Sequence, residues 1–233
     1  RLPIIKVESY TDRPQNPEEL IQRMSGAHTI ILARSNTRLT NHVLESTAPY
    51  LKHIALLGTA TDHVALEATR RLGVVVTNTP NSSTVAVAEH ALALLFSLAR
   101  KIPQLDLRVR FGEWPGGQLT QLAGKTLGIV GTGSVGIRLA QIAEGVGMRI
   151  LVNSLSETPK EGYNSNWTEV SFSELLENSD AISVHARLTP DTRTMFGASE
   201  FSKMKPTALF INTARGDLVD SGALVEALSN ETI

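Results

Sequence analysis

Two stretches combine residue types and spacing that could do chemistry. The first is Gly131-Thr132-Gly133-Ser134-Val135-Gly136, a G-x-G-x-x-G run. It follows a short apolar segment, Thr126 to Val130. It opens a segment with apolar residues at helical spacing: Ile137, Leu139, Ala140, Ile142, Ala143 and Val146. Strand, glycine turn and helix in that order are the setting in which such a run holds a dinucleotide. Gly131 permits the tight turn, Gly133 lets a pyrophosphate approach the backbone, and Gly136 lets the helix pack closely on the strand. The helix N-terminus then offers unpaired N–H groups and a positive dipole end to the phosphates. Taken alone the run is also compatible with a plain glycine turn; its flanks favour the dinucleotide.

The second stretch is INTARGDLVD. Arg215 follows the apolar segment Ala208 to Ile211 and precedes Gly216. A guanidinium there could clamp a carboxylate in bidentate fashion. The alternative is a surface arginine paired with Asp217 or Asp220, and position alone does not separate the two. The histidines are His28, His42, His53, His63, His90 and His185. None forms an i, i+4 metal-binding pair, and no metal site is expected. His90 lies in an apolar segment and reads as a packed core histidine. His63 and His185 lie near strand ends as acid–base candidates, with structural roles favoured. There is no cysteine, which excludes disulfides, thiolate metal sites and cysteine nucleophiles. No G-x-S-x-G or Walker pattern occurs, which disfavours a hydrolase elbow or a nucleotide triphosphatase.

The elements that must position these residues alternate. Pro17–Met24 reads as a helix capped by Asn16. Thr29–Ala33, His53–Leu57 and Gly73–Thr77 read as buried strands. Asn41–Ser46 and Asp62–Leu72 read as the intervening helices, the latter capped by Thr61 or Asp62. Val85–Lys101 reads as a long buried helix. Residues 102–117 are less regular and read as a passage. A second α/β unit then runs from the glycine fingerprint through strands at Arg149–Val152, Ala181–Val184 and Ala208–Ile211. Helices are expected at Ser171–Asn178, Ser199–Met204 and Asp220–Ser229. The fold class is therefore α/β, with two Rossmann-like domains of mostly parallel strands, 1–92 and 93–233. In open α/β sheets ligands bind beyond the carboxyl ends of the strands. That rule selects Arg34 and Ser35, Gly58 to Ala60, His185 to Arg187, and Asn212 to Arg215.

Bulk properties narrow the classes. Of 233 residues 42% are hydrophobic and 19% charged, and the net charge is −1, so no basic field points to nucleic acid or an anionic membrane. The longest apolar run, Val85 to Ala99, contains Glu89 and His90 and is short for a bilayer. The expected location is the cytoplasm.

Four segments together resemble the D-isomer-specific 2-hydroxyacid dehydrogenases, of which phosphoglycerate dehydrogenase is one. They are LAGKTLGIVGTGSVG, SVHARLTPDTR, MKPTALFINTARGDLVDSGALVEAL and NTPNSSTVAVAEHALALLFSLARK. The resemblance covers almost the whole chain. It implies a substrate domain followed by a nicotinamide domain, and hydride transfer between NAD(H) or NADP(H) and a small 2-oxo or 2-hydroxy acid. It implies that Arg215 is the catalytic arginine, holding the acid's carboxylate and carbonyl. Ser134 and Val135 match positions that touch the pyrophosphate. Thr79, Ala186, Thr213 and Ala214 match other cofactor-lining positions. Thr59 and Ala60 match the loop whose N–H groups receive the substrate carboxylate, and Arg34 and Ser35 sit where some members contact substrate. A homodimer through the region around Val85 to Gly117 is also implied. The rival class within the resemblance is a nicotinamide-binding corepressor without turnover.

Two departures bear on these expectations. The family's acid–base histidine and its glutamate lie downstream of the segment matching Gly222–Ile233. The chain also opens on Arg-Leu-Pro, without the strand expected before Pro3–Val7. The native polypeptide is therefore expected to continue at both ends, leaving the second domain here incomplete at its C-terminal end and the chain alone inactive. The second departure is Ser154, 18 residues past the last glycine of the fingerprint, where NAD-using members usually carry an aspartate for the ribose hydroxyls. Relaxed cofactor selectivity with NADP(H) accepted is predicted. Arg187 helps if it faces the adenosine pocket and is otherwise a solvent-exposed arginine.

Overall fold

The computed structural model describes residues 5–33, 37–154 and 162–233. Two compact units are present, 1–82 and 83–233. The first contains α1 (Pro17–Met24), β1 (Thr29–Leu32), α2 (Asn41–Thr47), β2 (His53–Leu56), α3 (Leu66–Leu72) and β3 (Val75–Thr77). Its strands are parallel in the order β1-β2-β3, with Thr29 opposite His53 and His53 opposite Val75. The expected cap of α1 is present: Asn16 Oδ1 accepts the Glu19 N–H at 2.8 Å, with Pro17 opening the helix. α3 begins at Leu66 rather than at Asp62. Val64 forms a parallel bridge with Leu39, whose N–H donates to the His63 carbonyl at 2.8 Å. The backbone there is committed to a neighbouring segment and cannot start a helix. His63 is buried within this unit.

The second unit contains α4 (Thr84–Ala99), α5 (Ile102–Arg110), β4 (Thr126–Val130), α6 (Ser134–Gly145), β5 (Arg149–Asn153), β6 (Thr168–Glu169), α7 (Phe172–Asn178), β7 (Ala181–Val184), α8 (Ala198–Lys203), β8 (Leu209–Asn212) and α9 (Ser221–Ser229). Its five strands are parallel in the order β6-β5-β4-β7-β8. The order reverses on either side of β4, which creates a crevice between β4 and β7 at their carboxyl ends. Helices α4 and α6 bury Ala88, Ala91, Leu95, Leu139, Ala140 and Ala143 on one face of the sheet. On the other face α7, α8 and α9 close a core around Phe196, Phe201, Leu175 and Leu176. Every residue of β4 is buried, as a central strand covered on both faces requires.

Several expectations are corrected here. The compact units divide at Ser82/Ser83, and α4 packs on α6 and β8 of the second. α4 is not buried all round: Ala88, Ala91, Leu95 and Ala99 form one buried stripe, while Val85 and Leu98 are 50% and 45% exposed. His90 lies on the exposed side and is no core histidine. The passage 102–117 contains α5, which buries no residue and so lacks the one-sided apolar periodicity that reveals a helix. The two-residue strand β6 is too short to leave a pattern.

Candidate functional site

β4 delivers Gly131 at φ +99°, a conformation that side-chain-bearing residues rarely adopt. Its N–H donates to the Asn153 carbonyl at 2.9 Å, and the His185 N–H donates to the Val130 carbonyl at 2.8 Å. The turn is thereby pinned between the ends of β5 and β7. A Cβ on Gly131 would lie 2.8 Å from the Ala186 nitrogen, and one on Gly136 would lie 2.2 Å from the Gly131 oxygen. A Cβ on Gly133 would meet nothing within 4 Å. Two of the three glycines therefore permit backbone packing, and the third faces open space at the start of α6. Gly133 is the N-cap of α6 and supplies no side-chain cap, so the first N–H groups of this helix remain available to a ligand.

Around this turn, Thr132 and Ser154 hydroxyls pair at 2.9 Å. Thr84 Oγ donates to Ser134 Oγ at 3.2 Å, which brings the first residue of α4 to the first residue of α6. Ala186 is buried, and Arg187, the next residue, is exposed. Thr213 Oγ1 and Asn153 Oδ1 are buried and have no hydrogen-bond partner among the described residues. They stand at the carboxyl ends of β8 and β5, and buried polar atoms of that kind call for a partner. The glycine cradle, the free helix end and these atoms fit a dinucleotide. Val135 is partly buried on α6.

Arg215 is half-buried in an extended conformation just past β8. Its Nη1 donates to the Ala214 carbonyl at 2.8 Å. Asp217 pairs with Arg193 at 2.7 Å, and Asp220 Oδ1 caps α9 by accepting from Gly222 and Ala223 N–H. His185 Nε2 and Ser183 Oγ lie 2.9 Å apart, and burial pushes the imidazole down to about 4. It is neutral at pH 7, which removes it as a ready proton donor. Among the described residues no cluster of three or more His, Asp or Glu side chains could hold a metal ion.

In the first unit, the loop after β2 brings Thr59, Ala60 and Thr79 together. Thr79 Oγ1 accepts the Gly58 N–H at 2.7 Å, and Asn78 Nδ2 donates to the Thr59 carbonyl at 2.9 Å. Arg34 and Ser35 lie outside the described residues. The strand-end rule selects Asn212, but sequence reading did not single out Thr84 or Thr132. The partners of all three become visible only when the chain is folded.

A doubly wound parallel sheet with a glycine turn and an open helix N-terminus at its crevice defines a nicotinamide-type dinucleotide-binding unit. The family model of the D-isomer specific 2-hydroxyacid dehydrogenase NAD binding domain matches residues 92–233. The chain belongs to that family. It is 41% identical over 204 residues to a glyoxylate reductase of Aeropyrum pernix, covering 82% of this chain and 61% of the relative. It is 36% identical to chloroplastic D-3-phosphoglycerate dehydrogenase 2 of Arabidopsis thaliana, over 91% of this chain and 34% of the relative. The chain thus spans from about a third to three fifths of these two relatives' length. Among solved structures, an acyclic imino acid reductase in complex with NADPH and D-Arg superposes with a TM-score of 0.84 at 32% identity, over 94% of this chain and 70% of that one. No helix among the described residues is long and apolar enough to cross a membrane.

Proposed function

We propose that the protein interconverts a small 2-oxo acid and its D-2-hydroxy acid with NAD(H) or NADP(H), as a cytoplasmic homodimer. The observation that carries this reading is the placement, on one sheet, of an open glycine turn after β4 and a half-buried arginine after β8. When bound, the dinucleotide supplies or accepts the hydride. Gly131, Gly133, Ser134, Val135 and Gly136 hold its pyrophosphate, with Ala186, Arg187, Thr213 and Ala214 lining it. Arg215 fixes the acid's carboxylate and carbonyl. In the first unit, Thr59 and Ala60 are the candidate substrate-binding residues on the loop after β2. Arg34 and Ser35 add substrate contacts. A screen of 2-oxo acids against both reduced cofactors tests the reading. Tight dinucleotide binding without turnover by the native protein would overturn it in favour of a regulator.

Cofactor choice follows from Ser154. An aspartate at this place accepts hydrogen bonds from the ribose and repels a 2′-phosphate. A hydroxyl already paired with Thr132 does neither strongly. NADP(H) is therefore expected to be accepted, and Ser154→Asp is expected to shift the Kd ratio toward NAD(H) by about tenfold or more. Titration of both cofactors measures it. A native preference for NAD(H) of about a hundredfold would contradict the assignment.

The homodimer reading rests on the outer faces of α4 and α5. Val85, Leu98, Ile102, Leu107 and Phe111 are all exposed there, a concentration of apolar surface typical of an interface. Leu98→Asp combined with Leu107→Asp is expected to convert a dimer into monomers in sedimentation equilibrium. A monomeric native protein would refute the assignment.

A further inference from the structure

One amide side chain spans the start of the loop that carries Arg215. Asn212, the last residue of β8, donates through Nδ2 to the Arg215 carbonyl at 2.7 Å. Its Oδ1 accepts the Ala214 N–H at 3.0 Å. One side chain thus spans the turn and fixes the backbone on both sides of the peptide bond that leads into Arg215. The task needs a donor and an acceptor on one short, planar group. Aspartate offers two acceptors, alanine offers neither, and glutamine is longer by one methylene.

The far flank of the loop is tied differently. The Thr194 N–H donates to the Asp217 carbonyl at 2.9 Å, and the Phe196 N–H donates to the Leu218 carbonyl at 3.1 Å. Thr194 makes its bond at φ +52°, in a region that β-branched residues avoid. Arg193 adds an ion pair to Asp217 at 2.7 Å, but both side chains are about half exposed, and pairs of that kind stabilise little. The downstream flank therefore rests on backbone ladder bonds, which no single side-chain change removes. On the upstream flank Asn212 supplies the side-chain tie, beside a backbone bond from the Leu218 N–H to the Arg215 carbonyl at 3.3 Å.

We infer that Asn212 is the positioning residue for Arg215: its amide sets the backbone from which the guanidinium reaches the substrate carboxylate. The inference rests on the proposed role of Arg215 as substrate clamp. A bidentate contact tolerates little displacement, so a loop that drifts by an ångström loses most of its advantage.

The experiment compares Asn212→Asp, Asn212→Ala, Arg215→Ala and the double variants in the native protein. Asn212→Asp is isosteric and keeps the acceptor for Ala214, but it turns an acceptor toward the Arg215 carbonyl. Both Asn212 variants are expected to lower kcat/KM for a 2-oxo acid by about tenfold or more, with weaker binding of the unreactive mimic oxalate. Dinucleotide Kd is expected to stay within about twofold. In the Arg215→Ala background, neither Asn212 change is expected to cost anything further, because the two act as one unit. Should Asn212→Ala fail to fold, Asn212→Asp decides. Wild-type kcat/KM in Asn212→Asp would overturn the inference. So would losses that multiply in the double variants, or a dinucleotide Kd that weakens in step. Failure of the underlying reading is separately visible as undiminished turnover in Arg215→Ala, and it takes the inference with it.

Discussion

Arg215→Ala is expected to lower kcat/KM for a 2-oxo acid by more than about a hundredfold, equivalent to roughly 3 kcal/mol of lost transition-state stabilisation. The size follows from where the guanidinium sits. It is half-buried just past β8, where a contact to a carboxylate is partly shielded from water. A charge-assisted contact in such a site is worth about twice a neutral one. Arg215→Lys is expected not to restore activity, because an ammonium lacks the planar fork that meets both carboxylate oxygens. Dinucleotide affinity should change far less, which separates loss of the clamp from loss of the fold. Steady-state kinetics with saturating reduced cofactor give the first quantity, and fluorescence titration gives the second. Near-normal turnover in the alanine variant would remove Arg215 from the catalytic role.

Gly136→Ala is expected to abolish measurable dinucleotide binding, with a loss of a hundredfold or more, about 3 kcal/mol. A methyl group there would lie 2.2 Å from the Gly131 oxygen and 3.1 Å from a methyl of Ile129. The nearest obstacle is backbone, which cannot swing aside. Relief requires α6 to lift away from β4, carrying off the N–H groups at its start and the tight core of Leu139, Ala140 and Ala143. Gly133→Ala provides the control within the same motif. Its Cβ meets no protein atom, so the fold should survive with an unchanged melting temperature while dinucleotide affinity falls. Thermal melts paired with cofactor titrations separate the two. Wild-type affinity in Gly136→Ala would show that the helix end has no part in binding.

Much of this was legible from residue order. β4 and β7 agree with the sequence reading to the residue, because a central parallel strand must be continuously apolar and is ended by the glycine turn or by the polar strand end. α7 was legible through Ser171 and Glu174, which form a reciprocal capping box. α5 was not, since its apolar residues face outward and match no core in the chain. His90 misled for a related reason: a run rich in alanine and leucine looks uniformly buried, yet only every third or fourth residue of α4 touches the sheet. At the site, the glycines and Arg215 declared themselves through spacing and strand ends. The pairing of Thr132 with Ser154 and of Thr84 with Ser134 did not, because those hydroxyls meet only through tertiary packing. Asn212 sat in plain view as a polar residue after a strand, but its double bond to the arginine loop depends on a turn geometry that composition does not encode.

The position of α4 also sets the order in which the polypeptide can assemble. The core of the first unit closes among residues from Leu20 to Val76, with contacts that form soon after synthesis. α4 comes next in the chain, yet it packs on α6 and on β8, the latter starting about 110 residues beyond the end of α4. A nascent chain emerging from the ribosome therefore exposes an apolar stripe of Ala88, Ala91, Leu95 and Ala99 until α6 has been made, and its packing is completed only when β8 follows. That interval is the stage at which this protein is most open to chaperone capture or to aggregation.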